Sequence, residues 1–240
     1  MERIVNDALL AHLSSTSSFV ASQHGFLKRR STTTCQLAFM HLVTLSIDSG
    51  KQTALSYLDI KKAFDGVHHS LLLIKLQQAG ILNPLLSCFW SYLSDRTQRV
   101  RIGDSLSSPQ AVTSGVIQSS NLGPSLFLNF INDISNYIGT STHFLFADDI
   151  KIVYSYHAEQ RHFPQCIQND LNALYEWSTK WKLTFSPEKC KILIHRVAFP
   201  TYTFCFITRP FSTLILFGIP FHLTSLNKSL TLYPEYSSCR

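Results

Sequence analysis

The chain has 240 residues, and its 21 Lys+Arg against 15 Asp+Glu give a formal net charge of +6. Hydrophobic residues make up 45% and charged residues 15%, so a packed core is available and a wholly disordered chain is excluded. The basic balance suits a polyanionic partner without requiring one. Taken in chain order, residues 1–13 predict a short helix and Ser14–Ser18 a polar break. Gln23-His24-Gly25-Phe26 predicts a turn, followed by the basic run Lys28-Arg29-Arg30. Ser31 or Thr32 can cap a helix running through Met40 and beyond, with Leu37, Met40 and His41 near one face. Ala54–Ile60 is a short apolar run of the kind that forms a buried strand. A Leu-rich helix starts near His69 and stops at Gly80, and a second starts at Asn83-Pro84 and reaches Leu93.

Arg99–Ile102 alternates charged and apolar residues, as an edge or hairpin strand does. Pro124 sits where a helix accepts proline, with Leu126, Phe127, Phe130, Ile131 and Ile134 behind it at helical spacing. Phe144–Ala147 and Ile150–Val153 form a hairpin signal with Asp148-Asp149 at its tip. Asn169–Leu183 reads as a helix with Leu174, Trp177 and Trp181 on its core side. Hairpins mixed with irregularly spaced helices predict an α+β fold. The six cysteines include no C-x-x-C pair and no secretory leader is evident, so free thiols in an intracellular setting are expected. The most apolar stretch, Thr203–Phe221, is interrupted by Arg209-Pro210 and is too short for a membrane span, so no membrane partner is expected.

The acids carry the chemistry. A plain hairpin tip favours Asn-Gly or Asp-Gly, whereas Asp148-Asp149 lacks the glycine and adds repulsion. Asp59 closes an apolar strand, where a carboxylate needs a partner. Strands that each deliver an acid at one end can converge them on one sheet edge, and Asp59, Asp148 and Asp149 would then form a hard oxygen site for Mg²⁺ or Mn²⁺. Two such ions assist phosphoryl transfer. His68-His69 project about 100° apart on a helix and cannot share an ion easily, so capping or surface roles are expected.

Four segments in this order resemble a reverse transcriptase of the non-LTR (LINE-type) retrotransposon family. Tyr57-Leu58-Asp59-Ile60-Lys61-Lys62-Ala63-Phe64-Asp65 is similar to its first catalytic motif, and Ser114–Phe127 to its second. Phe146-Ala147-Asp148-Asp149 is similar to the third, and Trp181–Lys191 to the fourth. Gln23-His24-Gly25-Phe26 and Arg96–Val100 resemble connecting blocks, and the likeness spans about residues 20–194.

The resemblance implies a right-hand polymerase fingers–palm fragment, with an antiparallel palm sheet backed by helices and no thumb. Residues 1–52 would be partial fingers, 53–195 the palm with inserted fingers elements, and 196–240 an unrelated tail. It implies an RNA-directed DNA polymerase that uses two Mg²⁺ (or Mn²⁺) ions, an RNA template, a DNA primer and dNTPs. Asp59 and Asp148 would be metal ligands and Asp149 a weaker one. Phe64 would reject a 2′-OH, while Gln118, Gly115 and Gly123 would lie beside template and incoming base. Lys189 would stand near the triphosphate as a proton donor, and Lys28, Arg29 and Arg30 would touch phosphates. Where the family's second motif reads P-Q-G-S, this chain has Ile117-Gln118-Ser119-Ser120, which frees one φ and adds a Cβ. Three other classes compete with this reading: an inactive nucleic-acid-binding remnant, a metal-dependent nuclease using the same acids, and a membrane-associated fragment using the 203–221 stretch.

Overall fold

The computed structural model describes residues 1–16, 19–139, 141–157, 163–195 and 216–218. The chain opens with helix α1 (Glu2–Ser15) and helix α2 (Thr32–Asp48). Ser31 caps α2 through a reciprocal capping box with Thr34. Strand β1 (Gln52–Asp59) leads to helices α3 (His69–Gln78) and α4 (Leu85–Leu93). Four two-residue strands follow: β2 (Thr97–Gln98), β3 (Arg101–Ile102), β4 (Ser105–Leu106) and β5 (Gln110–Ala111). They pair as nested antiparallel ribbons, β3 with β4 and β2 with β5. Helix α5 (Leu122–Ile131) continues into a 3-10 segment, Asn132–Tyr137. The hairpin of β6 (Thr142–Phe146) and β7 (Asp149–Tyr156), helix α6 (Phe163–Trp181), β8 (Lys191–His195) and β9 (Leu216–Gly218) complete the described chain.

The main sheet has the order β6-β7-β1-β8-β9. Its first four strands are antiparallel and β9 joins β8 in parallel. Alternation along β1 and β7 divides the side chains between two faces. Ala54, Leu58, Ile150 and Ile152 enter the large core built from α1, α3, α4, α5 and α6, where Trp177 is fully buried and Trp181 nearly so. Leu55 and Val153 face the other way, onto Cys35 and Phe39 of α2. Helices therefore cover both faces of the sheet, and among the described residues α2 covers the second.

Two expectations shift. Leu37 and Met40 are 64% and 47% exposed, and His41 is exposed beside them, so the face they share points outward. The sheet takes Cys35 and Phe39 instead, because its small apolar patch accepts only one stripe of α2. The hairpin corner is Ala147-Asp148 rather than Asp148-Asp149, since Phe146 pairs with Asp149 across β6 and β7. Ala147 supplies the positive φ (+55°) that a two-residue corner needs, which leaves Asp149 free to begin β7. Among the described residues, no helix is long and apolar enough to cross a membrane. The Thr203–Phe221 stretch lies outside them apart from 216–218.

Candidate active site

β1 ends at Asp59, and the buried Ile60 beyond it bridges to Phe185. The register sets Asp59 directly opposite Asp149, and Tyr57 opposite Lys151. Side chains directly opposite in an antiparallel pair share a face with Cβ atoms about 4.5–5.5 Å apart, and like charges so placed repel. Asp148, half-buried at the corner, adjoins both acids. Its carboxyl is held above the ordinary range, first by burial and then by the charges of Asp149 and Asp59, with Lys189 pulling the other way. The register thus brings Asp59 to the same end of the sheet as the adjacent acids Asp148 and Asp149, which lie far from it along the chain.

The fourth segment docks on the end of β1. Ser186 N–H donates to the Asp59 carbonyl at 2.9 Å and Lys61 N–H to the Thr184 carbonyl at 2.8 Å. That docking carries Lys189 to the carboxylate of Asp59, with Nζ at 3.2 Å from Oδ1 and 3.4 Å from Oδ2. Lys189 is 64% exposed and Asp59 24%, so the pair is solvent-screened and free to open.

Asp149 opens instead into a cleft of about 470 Å³ beside the start of α2, with Cys35, Gln36, Phe144, Phe146 and Lys151 on its walls. Among the described residues, no three His, Cys, Asp or Glu side chains converge closely enough to cage a metal. The reason is visible in the geometry: Asp149 turns toward the cleft and Lys189 engages Asp59. In kind, the donors fit a hard divalent ion, since they are oxygens whose mutual repulsion a cation would relieve.

The second segment packs on the loop after β1. Gly115 N–H donates to the Val67 carbonyl at 2.8 Å and Val116 N–H to the Phe64 carbonyl at 2.9 Å. Gly115 has φ +99°, and a Cβ there would stand 3.0 Å from Asp65 Cα. At Gly123 a Cβ would meet the Ile117 carbonyl oxygen at 2.0 Å, a contact only glycine permits. Gln118 Nε2 donates to Asp65 Oδ1 at 3.0 Å, joining the two segments. Ser119 is not among the residues at positive φ, so serine in place of the family's glycine adds no left-handed strain. Phe64 is half-buried, stacked on Phe127 with ring centroids 4.5 Å apart, and met edge-on by Phe26 at 6.0 Å.

The basic run is split. Lys28 and Arg29 are exposed, Arg29 at φ +63°. The Arg30 guanidinium turns inward and donates to the carbonyls of Ala21 and Gln23. Two contributors escape sequence reading. His69 is 9% exposed and its Nε2 lies 2.9 Å from the Gly115 carbonyl, so it is neither a cap nor a surface residue. Gln23, only 2% exposed, contacts the Ala147 corner. Its signal was the polar residue next to a Gly-Phe turn, but its target lies 124 residues away.

Residues 1–207 match the family described as reverse transcriptase (RNA-dependent DNA polymerase). The probable RNA-directed DNA polymerase from transposon X-element of Drosophila melanogaster is 30% identical over 180 residues, 70% of this chain and 20% of that protein. The RNA-directed DNA polymerase from mobile element jockey of the same species is 26% identical over 201 residues, 79% of this chain and 21% of that protein. The chain therefore spans about a fifth of the length of these curated relatives. Among solved structures, apo telomerase from Candida tropicalis superposes with TM-score 0.54 at 12% identity, covering 85% of this chain and 42% of that one. Telomerase from Candida albicans, in complex with a fragment of telomeric RNA, gives 0.57 at 12% identity, covering 84% and 36%. At that identity the likeness is one of fold.

Proposed function

Because the chain belongs to the reverse transcriptase (RNA-dependent DNA polymerase) family, we propose that it is the fingers–palm part of an RNA-directed DNA polymerase of the non-LTR retrotransposon kind. Its substrates are an RNA template, a DNA primer and dNTPs, and its reaction is attack of the primer 3′-OH on the α-phosphate with departure of pyrophosphate. Residues 1–52 belong to the fingers side and 53–195 to the palm, with 196–240 left unassigned. The observation that carries the reading is the strand register, which sets Asp59 opposite Asp149 and next to Asp148.

Reverse transcriptases depend on divalent metal. On this reading Asp59 and Asp148 hold the cations, Mg²⁺ or Mn²⁺, with Asp149 as a weaker contributor. Two bound ions would supply charge neutralisation at the attacking and leaving oxygens. The protein's own groups do the rest. Burial first, and then the charges of Asp149 and Asp59, hold the Asp148 carboxyl above its ordinary range, and a cation at the site would offset that repulsion. Lys189 Nζ lies 3.2 Å from Asp59 Oδ1, and its exposure lets it swing to the triphosphate and protonate the departing pyrophosphate. Phe64, fixed by its stack on Phe127, excludes the 2′-OH of a ribonucleotide. Gly115, Gln118 and Gly123 hold the second segment against the first, beside template and base. Lys28 and Arg29 touch phosphates, whereas Arg30 supports the turn before them.

Primer extension on an RNA template with Mg²⁺, run beside Asp148→Asn, tests the proposal. Extension by the wild type and a loss of about 100-fold or more in the variant are expected. Equal incorporation by both proteins would overturn it.

A further inference from the structure

The Gln23–Phe26 turn lies against the hairpin that carries Asp148. Gln23 is buried, and its Oε1 accepts two backbone N–H groups, Gly25 at 2.7 Å and Ala147 at 3.0 Å. Ala147 is the corner residue at φ +55°, next to Asp148 in the chain. A buried N–H at such a corner must find an acceptor, and the carboxamide supplies it. The approach is close, since a Cβ on Gly25 would stand 2.3 Å from the Ala147 nitrogen. The turn is itself held on both sides. His24 N–H donates to the Leu145 carbonyl at 2.7 Å and Leu145 N–H to the Ser22 carbonyl at 2.9 Å. Arg30 donates to the carbonyls of Ala21 and Gln23.

We propose that Gln23 is a positioning residue for Asp148: its carboxamide oxygen fixes the Ala147 corner and so sets the place from which the Asp148 carboxylate reaches a divalent cation. The proposal rests on the reading of Asp148 as a cation-holding group. A glutamine at this point has a role distinct from general packing, because it grips one backbone amide at the residue adjoining the acid. An apolar side chain of the same length fills the space but leaves that amide unpaired.

The test uses the full 240-residue chain and its Gln23→Met and Gln23→Glu variants. Amide hydrogen exchange is followed by NMR without metal, and Mn²⁺ binding is then titrated by EPR. In Gln23→Met the Ala147 amide is expected to exchange about tenfold faster, while the Ile152 and Tyr154 amides of β7 keep their wild-type rates. Mn²⁺ affinity falls about fivefold in the same variant. Gln23→Glu, which keeps the acceptor oxygen, restores protection at Ala147. Unchanged Ala147 exchange in Gln23→Met overturns the proposal. So does equal acceleration throughout β7, which would make Gln23 an ordinary stabiliser of the fold, and so does a loosened Ala147 with Mn²⁺ affinity intact. Asp148→Asn separates the two claims. If it binds Mn²⁺ as the wild type does, the reading of the acids as a metal site fails, while exchange at Ala147, measured without metal, still decides whether Gln23 holds the corner.

Discussion

Lys75 of α3 is 5% exposed and sits among aromatic rings, its Nζ 3.8 Å from the Trp181 ring centroid and 4.7 Å from that of Phe130. It pairs with Asp133 and donates to the Phe130 carbonyl, while Trp177 Nε1 donates to the same Asp133 at 2.8 Å. Burial outweighs the attraction of Asp133 and lowers the Lys75 ammonium from 10.5 to about 8. At pH values below about 8 the folded and unfolded chains both carry the proton, and the folded state bears the full cost of a buried cation. Between about 8 and 10.5 the unfolded chain binds the proton and the folded chain does not, so stability rises with pH. At 1.36 kcal/mol per pH unit, that window is worth roughly 3 kcal/mol. Lys75→Met keeps the stem among the rings and removes the titration. Urea unfolding at intervals from pH 7 to 10.5 should show the wild type gaining about 3 kcal/mol on the variant. Parallel stability curves for the two proteins across that range would refute the reasoning.

Three further outcomes follow from the site. Gly123→Ala forces a Cβ into the Ile117 carbonyl oxygen, and calorimetry should find it about 1–3 kcal/mol less stable; an unchanged Tm would show that this contact relaxes freely. Lys189→Met should alter stability by less than about 1 kcal/mol, because its pair with Asp59 is exposed, yet slow single-turnover extension by about 100-fold; a rate equal to wild type removes it from proton transfer. Phe64→Val should lower the preference for deoxynucleotides over ribonucleotides by about tenfold or more in competition assays, and an unaltered ratio would leave the ring as packing against Phe127 alone.

The parts of the fold written in short-range patterns were legible in the sequence. Short apolar runs marked β1 and the β6–β7 hairpin, and the helical spacing behind Pro124 marked α5. Ser31 announced the start of α2 through its cap. The direction in which α2 faces was not legible, because both of its sides carry apolar residues and only the sheet chooses between them. The hairpin corner was off by one residue, since alanine gives no sign that it will adopt a positive φ. At the candidate site the acids stood out as charges in apolar surroundings. Their supports did not, because the contacts of Gln23 with Ala147 and of His69 with Gly115 join residues 124 and 46 positions apart. Nothing near Lys75 in the sequence announces its burial, which the Asp133 carboxylate on the 3-10 segment makes tolerable.

The strand β6 ends the sheet, and a terminal strand offers unpaired backbone groups to any other strand that drifts past. At Leu145 the amide and carbonyl are both taken by the chain around Gln23, which runs alongside as a one-residue parallel bridge. Colloidal behaviour is thereby tied to the same few residues. A protein whose Gln23 segment is loosened frees the Leu145 amide and carbonyl on that margin, and light scattering should find it clumping before its interior melts.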